Sequence, residues 1–210
     1  MIDATQQSQS QLPEVSQSPI EPETQTSPAS KPLWRSLIEV LIALALLLSI
    51  AQALFDTVAL ETDSMAPTLR SGQSVLISRV PYVLNAPERG DVVAIRSRID
   101  PSKLMMYRVI GLPGDRVDVK GAQVTINNRP LREPYLPESI ERLGVSTISI
   151  AQYRIDADEF FLLNDNRADT NDSRTSGLFQ RDDFYGRAWL VFWPLENIHL
   201  MTHVRPEANE

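Results

Sequence analysis

Residues able to do chemistry first appear in the string Thr62-Asp63-Ser64-Met65-Ala66-Pro67-Thr68-Leu69. A serine hydroxyl acts as a nucleophile when a base lies within hydrogen-bond reach and donors stand ready for the oxyanion that forms. Pro67 restricts the backbone, so the segment that carries Ser64 is stiff. Taken alone, the string is more typical of a serine that caps a turn.

Two further polar strings each follow an apolar run. They are Tyr107–Asp115 (YRVIGLPGD) and Asn164–Arg174 (NDNRADTNDSR). Gly90–Val93 (GDVV) precedes them, and Gly186–Ala188 and Trp193-Pro194 follow. In this order, the strings resemble the boxes of bacterial type I signal peptidases, which read SMxPTL, GDVV, KRVIGLPGD, GDNRxxSxDSR and GRAxxxxWP.

The resemblance extends from Ala59 to Pro194. It implies a mainly β fold, with a signal-peptidase-like β-rich catalytic domain and a smaller inserted β region. It also implies a membrane-bound serine endopeptidase, without a cofactor, that cuts signal peptides from exported precursors after small residues. Ser64 matches the nucleophile, and its amide together with the Thr62 hydroxyl matches the oxyanion hole.

The family's general-base lysine, which stands immediately before the arginine of RVIGLPGD, is Tyr107 here. Burial lowers the pKa of a lysine because it disfavours the ammonium, and a neutral amine can accept a proton. Burial raises the pKa of a tyrosine above about 10, so the phenol stays protonated. Two functions therefore remain open: a signal peptidase, or a signal-peptidase-like protein that binds peptides or assists assembly without cutting them.

Another lysine could in principle replace the missing base. Lys31 precedes the apolar run and Lys120 lies beyond the Gly114 turn, which leaves Lys103. It stands four residues before Tyr107, about 13 Å away along an extended strand, so a bend or bulge would have to bring its amine to Ser64.

The family pattern also assigns supporting and substrate-binding residues. Thr170 takes the place of the serine that supports the lysine, and Asp172 and Arg174 match an ion pair that holds the site together. Asn164 and Ser176 replace a glycine and a tryptophan of the pattern. The expected substrate-binding residues, for which core packing is the alternative, are Leu60, Met65, Leu69, Met105 and Met106.

These strings must be positioned by an anchored β domain. Residues 1–33 are predicted to be a disordered cytoplasmic tail, because Gln, Ser, Thr, Pro and Glu dominate them. Residues 34–55 contain an apolar run long enough to cross a bilayer, with membrane lipid as its surroundings. A cleaved signal peptide or a buried helix is the alternative interpretation. Lys31 and Arg35 precede this span and acidic residues follow it, so residues 56–205 are predicted to be extracytoplasmic.

Short runs rich in Val, Ile, Leu and Tyr recur after the span and predict β-strands. Asn127-Asn128, which follows one of these runs, predicts a hairpin turn. The predicted strands are Val75–Ser78, Asp91–Ile95, Leu104–Ile110, Arg116–Val119, Val124–Ile126, Phe160–Leu163 and Arg187–Trp193.

Composition excludes several other chemistries. The 210 residues include no cysteine, which rules out disulfides and thiolate catalysis. A net charge of −7 gives no basic footprint for nucleic acid. His199 and His203 are interpreted as packing or surface residues, since two ligands alone make a poor zinc site and no motif surrounds them. The acidic residues of the Asn164–Arg174 string lack the glycine and closing glutamate of a calcium loop.

Overall fold

The computed structural model describes residues 33–137, 148–203 and 206–208. The chain divides into two units between Ala43 and Leu44, and the strands all belong to the second unit. Almost the whole of the predicted tail, residues 1–33, lies outside the described residues.

A single long helix, α1, begins the described chain at Leu33 and ends at Leu54. Most of its 22 residues are apolar, and their side chains are exposed throughout. At 1.5 Å per residue the helix is about 33 Å long, which matches the hydrocarbon core of a bilayer. The helix predicted here is confirmed, and it is long and apolar enough to cross a membrane.

Short strands make up most of the remaining structure. They are β1 (Phe55–Ala59), β2 (Ser74–Ser78), β3 (Val92–Arg96), β4 (Leu104–Gly111), β5 (Arg116–Lys120), β6 (Gln123–Ile126), β7 (Arg129–Arg132), β8 (Ser149–Arg154), β9 (Glu159–Leu163), β10 (Phe179–Gln180), β11 (Phe184–Trp193), β12 (His199–Leu200) and β13 (Glu207–Ala208). Two short helices accompany them, α2 (Val80–Leu84) and α3 (Ser173–Ser176), with 3-10 turns at Arg181–Asp183 and Leu195–Asn197.

The strands form two sheets. The larger has eight strands in the order β1-β2-β11-β3-β4-β9-β10, with β12 also paired to β11, and the smaller has the order β13-β7-β6-β5-β8. Strands β5 to β8 lie in sequence between β4 and β9, which pair with each other. The mainly β fold with a smaller inserted β region is therefore confirmed.

The seven strands predicted from apolar runs are present, within one to three residues at their ends. The hairpin is present too: Asn127 and Asn128 have φ values of 52° and 66° and connect β6 to β7. Both angles are those of a type I′ turn, in which asparagine is well tolerated. The polar strands β7 and β8 were missed, because their mostly exposed side chains leave no apolar alternation to read.

Side chains of β4 alternate between two apolar clusters because successive residues of a strand point to opposite faces. Met106 joins a cluster that contains Met65 and Leu69, from the turn between β1 and β2, together with residues of β1, β2, β3 and β11. Tyr107 points the other way, into a cluster with Phe160 and Phe179. Strand β4 therefore presents Met106 and Tyr107 to different parts of the core.

We predict that Gly186→Ala destabilises the domain by about 1–3 kcal/mol or more. Gly186 lies in β11, and an added Cβ would stand 2.7 Å from both the Ser78 carbonyl oxygen and the Ile77 Cγ2. The Ser78 carbonyl is backbone in the neighbouring strand β2, so it cannot rotate away as a side chain would. Urea unfolding of the full chain in mild detergent measures the change.

The matched control is Ser149→Ala on the exposed side of β8. It should change the free energy of unfolding by no more than about 0.5 kcal/mol. Equal stability of the Gly186 and Ser149 variants would show that the β2–β11 contact is looser than described.

Candidate active site

The Ser64 segment is a tight turn between β1 and β2. Ser64 is largely buried and Thr62 is exposed, and the Thr62 hydroxyl donates a hydrogen bond to the Ser64 Oγ over 3.3 Å. The Ala66 amide donates to the Asp63 carbonyl, and the Leu69 amide to the Met65 carbonyl. The turn thus brings the predicted nucleophile and its predicted oxyanion partner side by side.

Asn166 fastens this turn to the loop after β9. Its backbone amide donates to the Ser64 carbonyl at 3.0 Å, and its side-chain amide donates to the Asp63 carbonyl at 3.2 Å. Two strings that are about a hundred residues apart in sequence therefore share one hydrogen-bonded interface. Asn166 therefore fixes the position of Ser64 by binding the carbonyls of both Ser64 and the preceding Asp63.

Arg108 joins four of the sequence strings through one guanidinium group. It donates to both Asp165 carboxylate oxygens, at 2.8 and 2.6 Å, and the two side chains are 2% and 0% exposed. It also donates to the Gly90 carbonyl and to the Thr68 hydroxyl. Thr68 in turn donates to Asp165 at 2.5 Å.

An aromatic ring covers the Arg108 guanidinium. Tyr135, which follows β7 in the inserted region, has its ring centroid 3.7 Å from the guanidinium carbon. The Tyr135 hydroxyl donates to Glu133, and Glu133 pairs with the buried Arg167. Burial is the main reason that the pKa of Tyr135 lies well above its ordinary value.

A second buried ion pair shapes the loop 164–174. Asp172 caps α3 by accepting from the Arg174 amide, and it also binds the Arg174 guanidinium. The Arg174 guanidinium donates further to the carbonyls of Arg167 and Asp169. The Thr170 carbonyl accepts from the Thr175 hydroxyl. Asp172 and Arg174 therefore hold the conformation of this loop.

Tyr107 stands at the position of the family's base. Its side chain is 5% exposed, and its ring packs against Phe179 with the centroids 5.3 Å apart. Burial, helped by the negative charges of Asp172 and Asp169, raises the pKa of Tyr107 to about 12. At neutral pH this side chain is a protonated phenol and a poor proton acceptor.

A groove with a volume of about 240 Å³ opens beside Ser64. We call residues 57–62 together with Ser64 the first wall, and residues 102–106 the second wall. Of the predicted substrate-binding residues, Leu60, Met105 and Met106 line the groove. Met65 and Leu69 are 1% and 0% exposed and lie in the apolar core cluster that also contains Met106.

Lys103 belongs to the second wall, so an amine does lie on the same groove as Ser64. Its Nζ is 3.3 Å from the Glu61 Oε2, and both side chains are exposed. In this structure the Lys103 amine is therefore paired with the Glu61 carboxylate.

The two histidines lie near the end of the chain. His199 contacts the Asn197 carbonyl, and His203 contacts Asp91 at 3.1 Å. Within the part of the chain that the structure describes, no group of three or more His, Asp or Glu side chains is arranged to hold a metal.

Sequence reasoning missed the residues that hold the site together: Arg108, Asp165 and Thr68. A detectable signal existed at Arg108, because an arginine inside the apolar run Met106–Ile110 must be paired if it is buried. Its partner could not be read from the sequence, since Asp165 is 57 residues away. Several carboxylates of the Asn164–Arg174 string were equally plausible candidates.

Comparison with known proteins identifies the family. The profile of the family described as "Signal peptidase, peptidase S26" matches residues 33–193. The chain is 33% identical to signal peptidase I T of Bacillus subtilis (strain 168), over 79% of this chain and 86% of that protein. It is 29% identical to a signal peptidase I of Leptolyngbya laminosa, over 91% and 95% of the two chains. The chain belongs to the type I signal peptidase family.

A solved relative is the crystal structure of a signal peptidase I from Enterococcus faecalis V583. It is 28% identical to this chain, with a TM-score of 0.41, over 49% of this chain and 97% of that one.

We predict that Asp165→Asn destabilises the domain by about 3–5 kcal/mol, because it leaves the buried Arg108 charge without a counter-ion. Glu61→Gln breaks an exposed pair and should cost no more than about 1 kcal/mol. Urea unfolding in detergent compares the two variants. Similar losses would mean that water reaches the Arg108–Asp165 pair.

Proposed function

We propose that this chain is a membrane-anchored serine endopeptidase that cleaves signal peptides from exported precursors after small residues, with Ser64 as the nucleophile. The observation that carries the proposal is the 3.3 Å contact between the Thr62 and Ser64 hydroxyls at a groove lined by both walls. This contact supports the proposal, because Ser64 as nucleophile and Thr62 as oxyanion donor would then lie together where a bound peptide passes.

The groove suits an extended peptide because strand edges flank it. Strand β1 stands at the end of the large sheet and pairs with β2 on one side. In β4, Leu104–Met106 pairs with β3, whereas β9 pairs with β4 only from Arg108 onward. A peptide strand added to such edges gains backbone hydrogen bonds, and alternate side chains enter the groove.

Ser64 Oγ would attack the scissile carbonyl carbon, and the carbonyl oxygen would become an oxyanion. The Ser64 amide and the Thr62 hydroxyl are the proposed donors to that oxygen. Removing one such donor typically costs about 2.7–4 kcal/mol of transition-state stabilisation. Collapse of the tetrahedral intermediate would expel the amine of the mature protein and leave an acyl-enzyme on Ser64.

The proton of Ser64 needs an acceptor, and this chain has a tyrosine at the position where the family has its general-base lysine. Tyr107, with its pKa of about 12, does not accept it at neutral pH. General-base assistance typically contributes about 10²–10⁴-fold, so the natural chain should cleave slowly. The same observation favours a second candidate, a protein that holds signal peptides in this groove without cutting them.

We predict that Tyr107→Lys raises the cleavage rate of an Ala-X-Ala precursor at least about a hundredfold, because the flexible lysine side chain would turn from the Phe179 cluster toward Ser64 and act as its base. The position is buried, which lowers the pKa of a lysine, although Asp172 and Asp169 oppose that shift. The lysine acts as a base only when neutral, so the gain should grow as pH rises. Precursor cleavage in detergent, followed on gels, measures it.

Ser64→Ala in the Tyr107→Lys background is the matched control and should abolish the gain. Tyr107→Phe removes the hydroxyl and keeps the ring, and it should leave the cleavage rate at the level of the natural chain. The opposite result is that the natural chain cleaves at an ordinary signal-peptidase rate and loses that activity in Lys103→Ala. That result would falsify the conclusion that this chain lacks an effective general base.

We further propose that residues after Phe55 are extracytoplasmic. Lys31 precedes the α1 helix and Arg35 lies in its first turn, whereas Asp56 follows the helix. Positive residues favour the cytoplasmic side of a span. Protease added outside spheroplasts should digest the β domain. Protection of that domain in sealed spheroplasts would show that the orientation is the opposite of the one proposed.

A further inference from the structure

An ion pair crosses the groove beside Ser64. Glu61 comes from the first wall and Lys103 from the second, and their charged atoms are 3.3 Å apart. They are the charged residues among the groove's lining side chains. An extended peptide between the walls would therefore pass next to both charges.

The pair is weak enough for a peptide to open it. The side chains of Lys103 and Glu61 are 57% and 77% exposed. Ion pairs of that exposure contribute at most about 1 kcal/mol, because water already solvates both charges. The peptide can thus exchange one partner of the pair for a side chain of its own.

The surrounding charges decide which partner is exchanged. Asp63 follows Glu61 by two residues in the Ser64 turn, and Asp100 precedes Lys103, whose amide donates to the Asp100 carbonyl at 2.9 Å. Hydrogen bonds from Ser102 are the main reason that the pKa of Asp100 is lowered, and the Lys103 charge adds to that effect. The segments that carry the ion pair therefore add the carboxylates of Asp63 and Asp100 to the charges of Glu61 and Lys103.

This arrangement favours a cation on the peptide. An incoming ammonium or guanidinium can take the place of Lys103 at Glu61, and Lys103 then has Asp100 as its alternative partner. An incoming carboxylate meets the negative charges of Glu61, Asp63 and Asp100, and among the residues that line the groove Lys103 is the cation that can bind it. Since successive side chains of an extended peptide alternate, the residue between two small groove-facing residues points toward solvent, where both side chains of this pair are exposed.

We infer that Glu61 is a specificity-determining residue that selects peptides with a lysine or arginine between the two small residues before the scissile bond. Lys103 occupies the position that the peptide's basic side chain takes. The inference rests on the proposed function, because it requires an extended peptide in this groove.

The test compares three labelled peptides that differ only between the two small residues: Ala-Lys-Ala, Ala-Gln-Ala and Ala-Glu-Ala. The full chain carrying Ser64→Ala, in detergent, binds without cutting, and fluorescence anisotropy gives each Kd. The Kd should rise from the lysine to the glutamine to the glutamate peptide, by about two- to fivefold at each step.

Variants of the pair should change this order in a defined way. Glu61→Gln should remove the advantage of the lysine peptide, and Glu61→Lys should reverse the order. Lys103→Gln should tighten binding of the lysine peptide by about two- to fivefold, because its competitor for Glu61 is gone. Glu196→Gln, an exposed carboxylate outside the groove, is the matched control and should leave the order unchanged.

The outcomes separate this inference from the proposed function. Binding of all three peptides with equal Kd overturns the charge selection and leaves a peptide-binding groove in place. An order that persists in Glu61→Gln also overturns it, because the selection would then come from other residues. Failure of every peptide to bind overturns both the charge selection and the proposed function.

Discussion

The buried ion pair between Arg108 and Asp165 decides how the site is assembled. A guanidinium has five N–H donors in a fixed plane, and here its three nitrogens reach the carboxylate, the Gly90 carbonyl and the Thr68 hydroxyl. Each of these acceptors lies in a different sequence string. Strings that are far apart in the chain therefore converge because one buried cation needs all of them, and the loss of any acceptor leaves a charged donor unsatisfied.

The two halves of the proposed chemistry have different surroundings. Ser64 and Thr62 lie at a groove that solvent reaches, on a turn that Asn166 holds by its backbone and side-chain amides. Tyr107 lies in an aromatic cluster, where its ring packs on Phe179. The position of the missing lysine thus serves packing in this chain, while the nucleophile's side keeps its hydrogen-bonding geometry. Under the proposed function, the cleavage rate of the natural chain depends on whether the Ser64 side or the Tyr107 side limits the reaction.

The sequence predicts much of the fold and part of the site. Strands such as β4 and β9 are evident from apolar runs, and Asn127-Asn128 marks its hairpin because both residues tolerate positive φ. Polar strands such as β8 escape detection, since hydrogen bonds to β5 rather than burial define them. Met65 and Met106 show a further limit. The residue type shows that both are apolar and suited to the core. The local backbone determines where each side chain points, and it is this that brings Met106, but not Met65, to the groove.

Tyr135, from the inserted region, affects how the ion pairs of the domain respond to salt. Its ring covers the Arg108 guanidinium, so dissolved ions cannot approach that pair closely. The Lys103–Glu61 pair stands in solvent, where screening acts over about 8 Å at physiological ionic strength. Rising salt would therefore weaken the exposed Lys103–Glu61 pair and leave the buried Arg108–Asp165 pair beneath the inserted region intact. If the groove binds peptides as proposed, salt would relax the choice of peptide without loosening the turn that carries Ser64.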